Sequence, residues 1–431
     1  MRMGMKLLTL LCLLLLRIGG SECRGKKHSR GADFLNVENY GAKGDDFLDV
    51  KNNNEKNGDF FNVMNYGAKG DGRTDDSKAL MDTWKAACGF KGSVRYYIPP
   101  GNYIVGPLNF NGPCKGVTTM NFMIKGTLKA STDLSKYGPT DSWVMFGWLT
   151  GLKLTGYGTF DGQGAASWPL NNCPKNKNCK VLPASIKFVA TDYTEVQAIT
   201  SLNSKFFHIV LLDCKNFKAT NLQITAPATS PNTDGIHIER STDVSISNSK
   251  IGTGDDCISI GHGNTRVFIN GVTCGPGHGI SVGSLGRYPN EGDVMGLSVT
   301  GCVLTGTANG LRIKTWQDSP DTSVATNMTF ENIVMYNVAN PIIIDQNYCP
   351  YTYCTARAPS RVKISDVSFK NIRGTSATET AVTLHCSNGL PCQNVRLQDV
   401  QLNYYGPGKR AKATCMNVKA SYSGTQIPPP C

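Results

Sequence analysis

The sequence predicts an all-β fold, a single-domain right-handed parallel β-helix (a solenoid) with a short N-terminal capping helix. The first observation is a fixed period. Ile236, Ile258 and Ile280 are 22 residues apart, and Leu311 and Ile342 follow at intervals of 31. The second is a parallel series, Leu222, Val244, Val267, Leu297, Met328, Val362 and Val395, each in a short run of alternating apolar and polar residues. Alternation over four to six positions marks half-buried strands. Self-similarity at this spacing marks a solenoid. The third is that no such repeat carries a helical period, which disfavours leucine-rich and ankyrin-type repeats. Coils of this kind stack at the strand-pairing distance of about 4.8 Å.

From the N-terminus, residues 1–22 read as a secretory signal. Arg2 and Lys6 precede the apolar run Leu7 to Leu16, which is too short to cross a bilayer. Residues 23–59 form a polar extension. Within it, residues 34–45 nearly duplicate residues 60–71, and Lys51 to Asn57 is too polar to pack. The β-helix domain is assigned to residues 60–431. Only the second copy leads into an amphipathic stretch, Asp75 to Cys88, with Ala79, Leu80, Trp84 and Ala87 on one face. A helix there caps the open end of the solenoid, which otherwise exposes core and strand edges.

Setting Cys12 and Cys23 aside leaves fourteen of the sixteen cysteines, an even number that fits an oxidising compartment. Close spacing points to Cys173/Cys179, Cys349/Cys354, Cys386/Cys392 and Cys415/Cys431, and neighbouring coils to Cys257/Cys274. CxxC spacing is absent, so no structural metal is expected. Asn327-Met328-Thr329 is the one glycosylation sequon. The net charge of +12 favours a polyanionic partner, or simply solubility. No basic helix or aromatic RNA motif accompanies it, so nucleic acid is not the expected partner. The expectation is a secreted, extracellular protein without a membrane anchor, and a monomer.

The register also aligns chemistry. Two places before each residue of the first series stand Asp234, Asp256, His278, Asn309 and Asn340. If the apolar residues point inward, the next positions, His237, Ser259, Ser281 and Arg312, point outward, as do Glu239, Gly261, Gly283 and Lys314. Asp255 adjoins Asp256. Three crowded carboxylates cannot all ionise independently, so at least one must hold its proton at raised pH, as a general acid requires. Paired carboxylates suit glycoside hydrolysis. Arg312 and Lys314 suit the carboxylate of an acidic sugar. A lone Asp at a solenoid turn is more often part of a hydrogen-bonded ladder, and Asn309 and Asn340 are read that way. His237 is an outward residue with an ordinary surface role as the simpler reading.

Asn232-Thr233-Asp234, Gly254-Asp255-Asp256, Gly277-His278-Gly279 and Arg312-Ile313-Lys314, in this order, resemble the four signatures of polygalacturonases, the pectin hydrolases of glycoside hydrolase family 28. The likeness runs from Phe60 to Cys431. It implies the same β-helix and inverting hydrolysis of α-1,4-galacturonosyl bonds in homogalacturonan, without a cofactor. By resemblance Asp255 is the general acid. Asp234 and Asp256 hold and deprotonate water, and His278 supports the acid. Asn232, Arg312, Lys314 and Tyr348 bind the sugar. Residues 275–287 and 389–394 are most similar to the plant branch, and there to exopolygalacturonases of the pollen type. The duplicated N-terminal segment departs from the family pattern. The alternatives are an endo-acting enzyme, a related specificity for rhamnogalacturonan or xylogalacturonan, a calcium-dependent pectate lyase, and a non-catalytic pectin-binding solenoid.

Overall fold

The computed structural model describes residues 58–431 except 173–175, 177–178, 351–356 and 407–409. The predicted leader and the first copy of the duplicated segment lie outside the described residues. The described chain is a right-handed parallel β-helix. One face is an eleven-stranded sheet running in chain order from Leu108–Asn111 to Lys412–Met416. The other strands form a 22-stranded sheet that wraps the rest of each coil. Among the described residues no helix is long and apolar enough to cross a membrane.

Ile236 pairs with Ile258, Ile258 with Ile280, Ile280 with Leu311 and Leu311 with Ile342, as the period predicts. The second series is corrected in two places. Val244 pairs with Phe217, not Leu222, and Met328 pairs with Val367, not Val362. The reason is connection length. The segment that carries Asn232 and Asp234 and the one after Tyr348 are longer than their neighbours, so the even spacing slips there. Leu222 and Val362 are buried elsewhere in their coils.

A second inward column runs Phe110, Phe146, Phe188, Leu211, Ile238, Ile260, Val282, Ile313, Ile344, Leu384. Its aromatic end is stacked, with ring centroids 5.2 Å apart for Phe110/Phe146 and 5.3 Å for Phe146/Phe188. Asn221, Asn248, Gly271, Gly301, Asn332 and Asn371 recur at one turn, all with positive φ. Only glycine and, less often, asparagine take that conformation cheaply, which explains their spacing.

The predicted cap is the helix Ser77–Cys88, which buries Ala79, Leu80, Thr83, Trp84 and Ala87. Trp84 packs edge-on to Phe110 at 5.3 Å. Cys88 is bonded to Cys114, a pair that the sequence reading did not propose; it ties the end of the cap to the first coils. Cys257/Cys274, Cys386/Cys392 and Cys415/Cys431 form as expected. Cys179 and Cys349 are disulfide-bonded, while Cys173 and Cys354 lie outside the described residues. Cys214 and Cys302 are buried free thiols. Asn327 is exposed within the strand Ser323–Val338, with φ 57°.

Replacing Phe146 by Ala removes the middle ring of the stack. It is expected to cost about 3–5 kcal/mol in denaturant unfolding, with catalysis per folded molecule unchanged.

Candidate active site

The site lies on the turns that enter the strands Ile236–Glu239, Ile258–Ile260, Ile280–Leu285 and Asn309–Trp316 of the eleven-stranded sheet. The backbone of these turns is locked from coil to coil. Gly235 N–H donates to Asp256 O at 2.9 Å, and Cys257 N–H to Gly279 O at 2.8 Å. The glycines are required by this close stacking. A Cβ on Gly254 would lie 2.0 Å from Ser230 O. One on Gly279, where φ is +88°, would lie 2.1 Å from Asn309 O. The Cys257–Cys274 disulfide begins at the residue after Asp256 and anchors that turn.

Asp234, Asp255, Asp256 and His278 come together as predicted. His278 Nδ1 lies 3.0 Å from Asp255 Oδ1, and Asn232 Nδ2 donates to Asp255 Oδ2 at 3.2 Å. Lys314 Nζ donates to Asp256 Oδ2 at 2.7 Å, in an ion pair of which both members are buried. Ser281 Oγ donates to Asp256 Oδ1 at 2.7 Å, and Ser259 Oγ to Asp234 Oδ2 at 2.8 Å. Each serine reaches back one coil to the carboxylate before it. These two donors were visible in the sequence as outward residues, but nothing in composition separated them from ordinary surface serines. Asn309 and Asn340 form the expected ladder. Asn309 Nδ2 donates to His278 O at 3.3 Å and Asn340 Nδ2 to Asn309 Oδ1 at 3.3 Å.

Burial divides the carboxylates. Asp234 and Asp256 are 5 % and 1 % exposed, whereas the Asp255 and His278 side chains are 19 % and 44 % exposed. Burial, together with the charges of Asp255 and Asp256, raises Asp234 well above the usual carboxylate range. Burial also works on Asp255, but the hydrogen bond from His278 and the charges of His278 and Lys314 outweigh it and lower that group. The hydrogen bond to Asp255 in turn raises His278 above its ordinary 6.5. Burial disfavours the charge on Lys314, but Asp256 more than offsets it, so its proton is held more firmly. Crowding therefore raises Asp234 and not Asp255, the residue that the resemblance implies as the general acid. Asp234 is thus the carboxylate whose ionisation is disfavoured, and Asp255 and His278 share a proton across their 3.0 Å contact as a unit. Asp255, Asp256 and His278 bring ligand atoms within 4.8 Å of one another, a spacing that a cation can also use. Lys314 already supplies fixed positive charge there.

A cleft of about 470 Å³ opens over this floor, lined by Asn232, Asp234, Asp255, Asp256, Lys314 and Tyr348 among the predicted residues. His278 and Arg312 are outside its lining. Arg312 lies with its guanidinium carbon 4.9 Å from the Tyr348 ring centre and Nη2 3.9 Å from Asp345 Oδ2. Its buried Nε has no hydrogen-bond partner among the described residues. Lys314 points outward and lines the cleft, and one of its three ammonium N–H groups donates to Asp256. The cleft walls add Phe206, Phe207, Arg287 and Tyr288, to which the sequence assigns no site role, and His237, for which a substrate role is the lesser of two readings. Asn176, Cys179 and Val181 of the connection between Thr159–Asp161 and Ala184–Val189 also line it. Asn171 of that connection donates to Asn232 Oδ1 at 2.9 Å.

Lys314→Ala leaves Asp256 buried without its partner. The expected result is a fall in kcat of at least about tenfold, larger than any rise in KM, read from steady-state kinetics on polygalacturonate.

Residues 88–424 match the family model of glycosyl hydrolases family 28, and residues 60–114 a model described as rhamnogalacturonase A/epimerase, pectate lyase-like. An exopolygalacturonase of Platanus acerifolia is 50 % identical over 357 residues, covering 83 % of this chain and 94 % of that protein. One of Zea mays is 48 % identical over 353 residues, covering 82 % and 86 %. Among solved structures, an endo-xylogalacturonan hydrolase of Aspergillus tubingensis superposes with a TM-score of 0.72 at 21 % identity, covering 85 % of this chain and all (100 %) of that one. The exopolygalacturonase of Thermotoga maritima gives 0.69 at 18 % identity, covering 85 % and 92 %. These two show the fold alone. With the family match spanning most of the β-helix and the four signatures assembled on one floor, the chain belongs to glycosyl hydrolases family 28.

Proposed function

We propose that this protein is an exo-acting polygalacturonase that hydrolyses α-1,4-galacturonosyl bonds of pectin with inversion, releasing galacturonate from chain ends. The observation that carries the chemistry is the division of the carboxylate cluster. A proton-bearing Asp255–His278 pair sits at the exposed end, and Asp234 and Asp256 are buried beneath the cleft. The exposed pair is where a glycosidic oxygen can be reached. Asp255 passes its proton to the leaving oxygen as the C1–O bond breaks, and His278 keeps that proton within the pair until then. Asp256, paired with Lys314, takes the proton of a water that attacks C1 from the opposite face, with Asp234 holding the water. Arg312, with its unpartnered Nε, and Lys314 present positive charge to a galacturonate carboxylate. Tyr348, stacked against both cations, shapes that subsite. Asn232 orients Asp255.

Exo-action rests on two supports: the names of the plant relatives, and the connection before Ala184, of which Asn176, Cys179 and Val181 line the cleft and Asn171 donates to Asn232. Disulfides and the leader-like residues 1–22 support action outside the cell, on wall pectin.

A product time course on de-esterified polygalacturonate tests this reading. Galacturonate alone from the outset with slow loss of viscosity is expected, and Asp255→Asn should lose at least about a hundredfold in kcat. Mixed oligomers from the start would make the enzyme endo-acting. Wild-type turnover matched by Asp255→Asn would remove Asp255 from the chemistry. The pH profile is a second check. Activity falls toward acid as Asp234, whose ionisation burial already disfavours, takes a proton and no longer accepts from the water. It falls toward alkali only above pH 6.5, because the pair keeps its proton beyond the ordinary imidazole range. A rate that is flat from about pH 4 to about pH 9 would contradict the assignment.

A further inference from the structure

His237 lies beside the Asp/His column, outside the four signatures, and lines the cleft. Its ring is held on three sides. Phe207 packs on it with centroids 5.0 Å apart, Nδ1 is 2.8 Å from Ser259 Oγ, and Nε2 is 3.4 Å from Glu239 Oε2. Ser259 has one hydroxyl proton, and it is directed to Asp234 Oδ2 at 2.8 Å. Ser259 therefore accepts from His237 Nδ1–H, and with Nε2–H facing the Glu239 carboxylate the ring carries both protons, as a cation held by that carboxylate. The direction of the Ser259 proton toward Asp234 is thus set by the imidazole behind it.

Glu239 is an anchor rather than a surface acid. Its Oε1 lies 2.8 Å from Arg240 Nη1 and 3.3 Å from His262 Nε2. The hydrogen bonds from His237 and His262 hold its carboxyl far below the usual range. His262 Nδ1 accepts from Gly292 N–H at 3.3 Å. The neighbouring Glu291 carboxylate accepts the N–H groups of Gly286, Arg287 and Tyr288 at 2.6, 2.8 and 2.8 Å. A continuous set of contacts thus joins the wall bearing Arg287 and Tyr288 to Asp234.

The two buried carboxylates are served differently. Asp256 receives Ser281 and a direct cation, Lys314. Asp234 receives Ser259, and no ion pair joins it to a cation among the described residues. Resting on the hydrolase reading above, we infer that His237, anchored by Glu239, is a positioning residue that fixes the Ser259 hydroxyl as a donor to Asp234 and keeps that carboxylate available to hold the attacking water. The charged groups facing Asp234 are Asp255, Asp256 and Lys314. Those facing His237 are Glu239 and, behind it, His262 and Arg240.

The test is steady-state kinetics on de-esterified polygalacturonate across pH for His237→Leu, His237→Asn and Glu239→Gln, with thermal unfolding as the control for folding. Loss of the donor makes the carboxylate harder to ionise, so the acidic limb of kcat should move to higher pH. His237→Leu is expected to lower kcat about tenfold with KM within about twofold, and to shift that limb on the order of half a pH unit. His237→Asn, whose amide N–H can replace Nδ1–H, should recover most of kcat. Glu239→Gln should fall between. A His237→Leu enzyme with wild-type kcat and an unmoved limb overturns the inference. So does a loss confined to KM, which would make His237 a sugar contact only. If His237→Leu does not fold, a limb unmoved in Glu239→Gln overturns it equally. Turnover by the wild type, established by the product time course, separates failure of the hydrolase reading from failure of this one.

Discussion

Parallel strands in successive coils can pair in one register only, because a slip of one residue would turn every inward isoleucine toward solvent and every outward polar group into the core. The column of Ile236, Ile258, Ile280 and Leu311 enforces that register over the coils that matter. Each is buried almost completely, and loss of even one such side chain costs on the order of 2–5 kcal/mol. The active-site groups are two residues upstream of these anchors. They inherit positions fixed by core packing rather than by their own interactions, so a cluster of mutually repelling carboxylates can be held in place.

That repulsion is what the site uses. Three carboxylates share a floor with Lys314 and His278. Lys314 neutralises Asp256 deep in the floor, His278 pairs with Asp255 at its rim, and Asp234 has no ion-pair partner among the described residues, so its ionisation is disfavoured. The same residue type thus takes three states within a few ångströms because burial and cation placement differ at each position. The serines refine this by donating backward one coil, which strand register alone brings about.

Much of this was legible in the sequence. The period placed Asp234, Asp256 and His278 in one column, and amphipathic spacing placed the cap. Other parts were not legible, for definable reasons. Phe217, rather than Leu222, pairs with Val244 because the connection that carries Asp234 adds residues, and an added loop leaves no trace in an apolar pattern. The Cys88–Cys114 bond depends on how the helix docks, which spacing does not encode. The outward direction of Lys314 was correct, but its partner was hidden, since a lysine one face away from an aspartate reads the same whether or not it turns back to it. The walls came from the connections, where no periodicity constrains the chain.

The unequal connection lengths that broke the second apolar series have a consequence for how such enzymes diversify. The floor is tied to stacked strands, and the walls hang from segments whose length the stack tolerates. The connections between Asp161 and Ala184 and after Tyr348 carry none of Asp234, Asp255, Asp256 and His278, whose strands pair in a ladder of their own. Substrate length preference and bond-breaking chemistry are therefore separately heritable properties of this architecture.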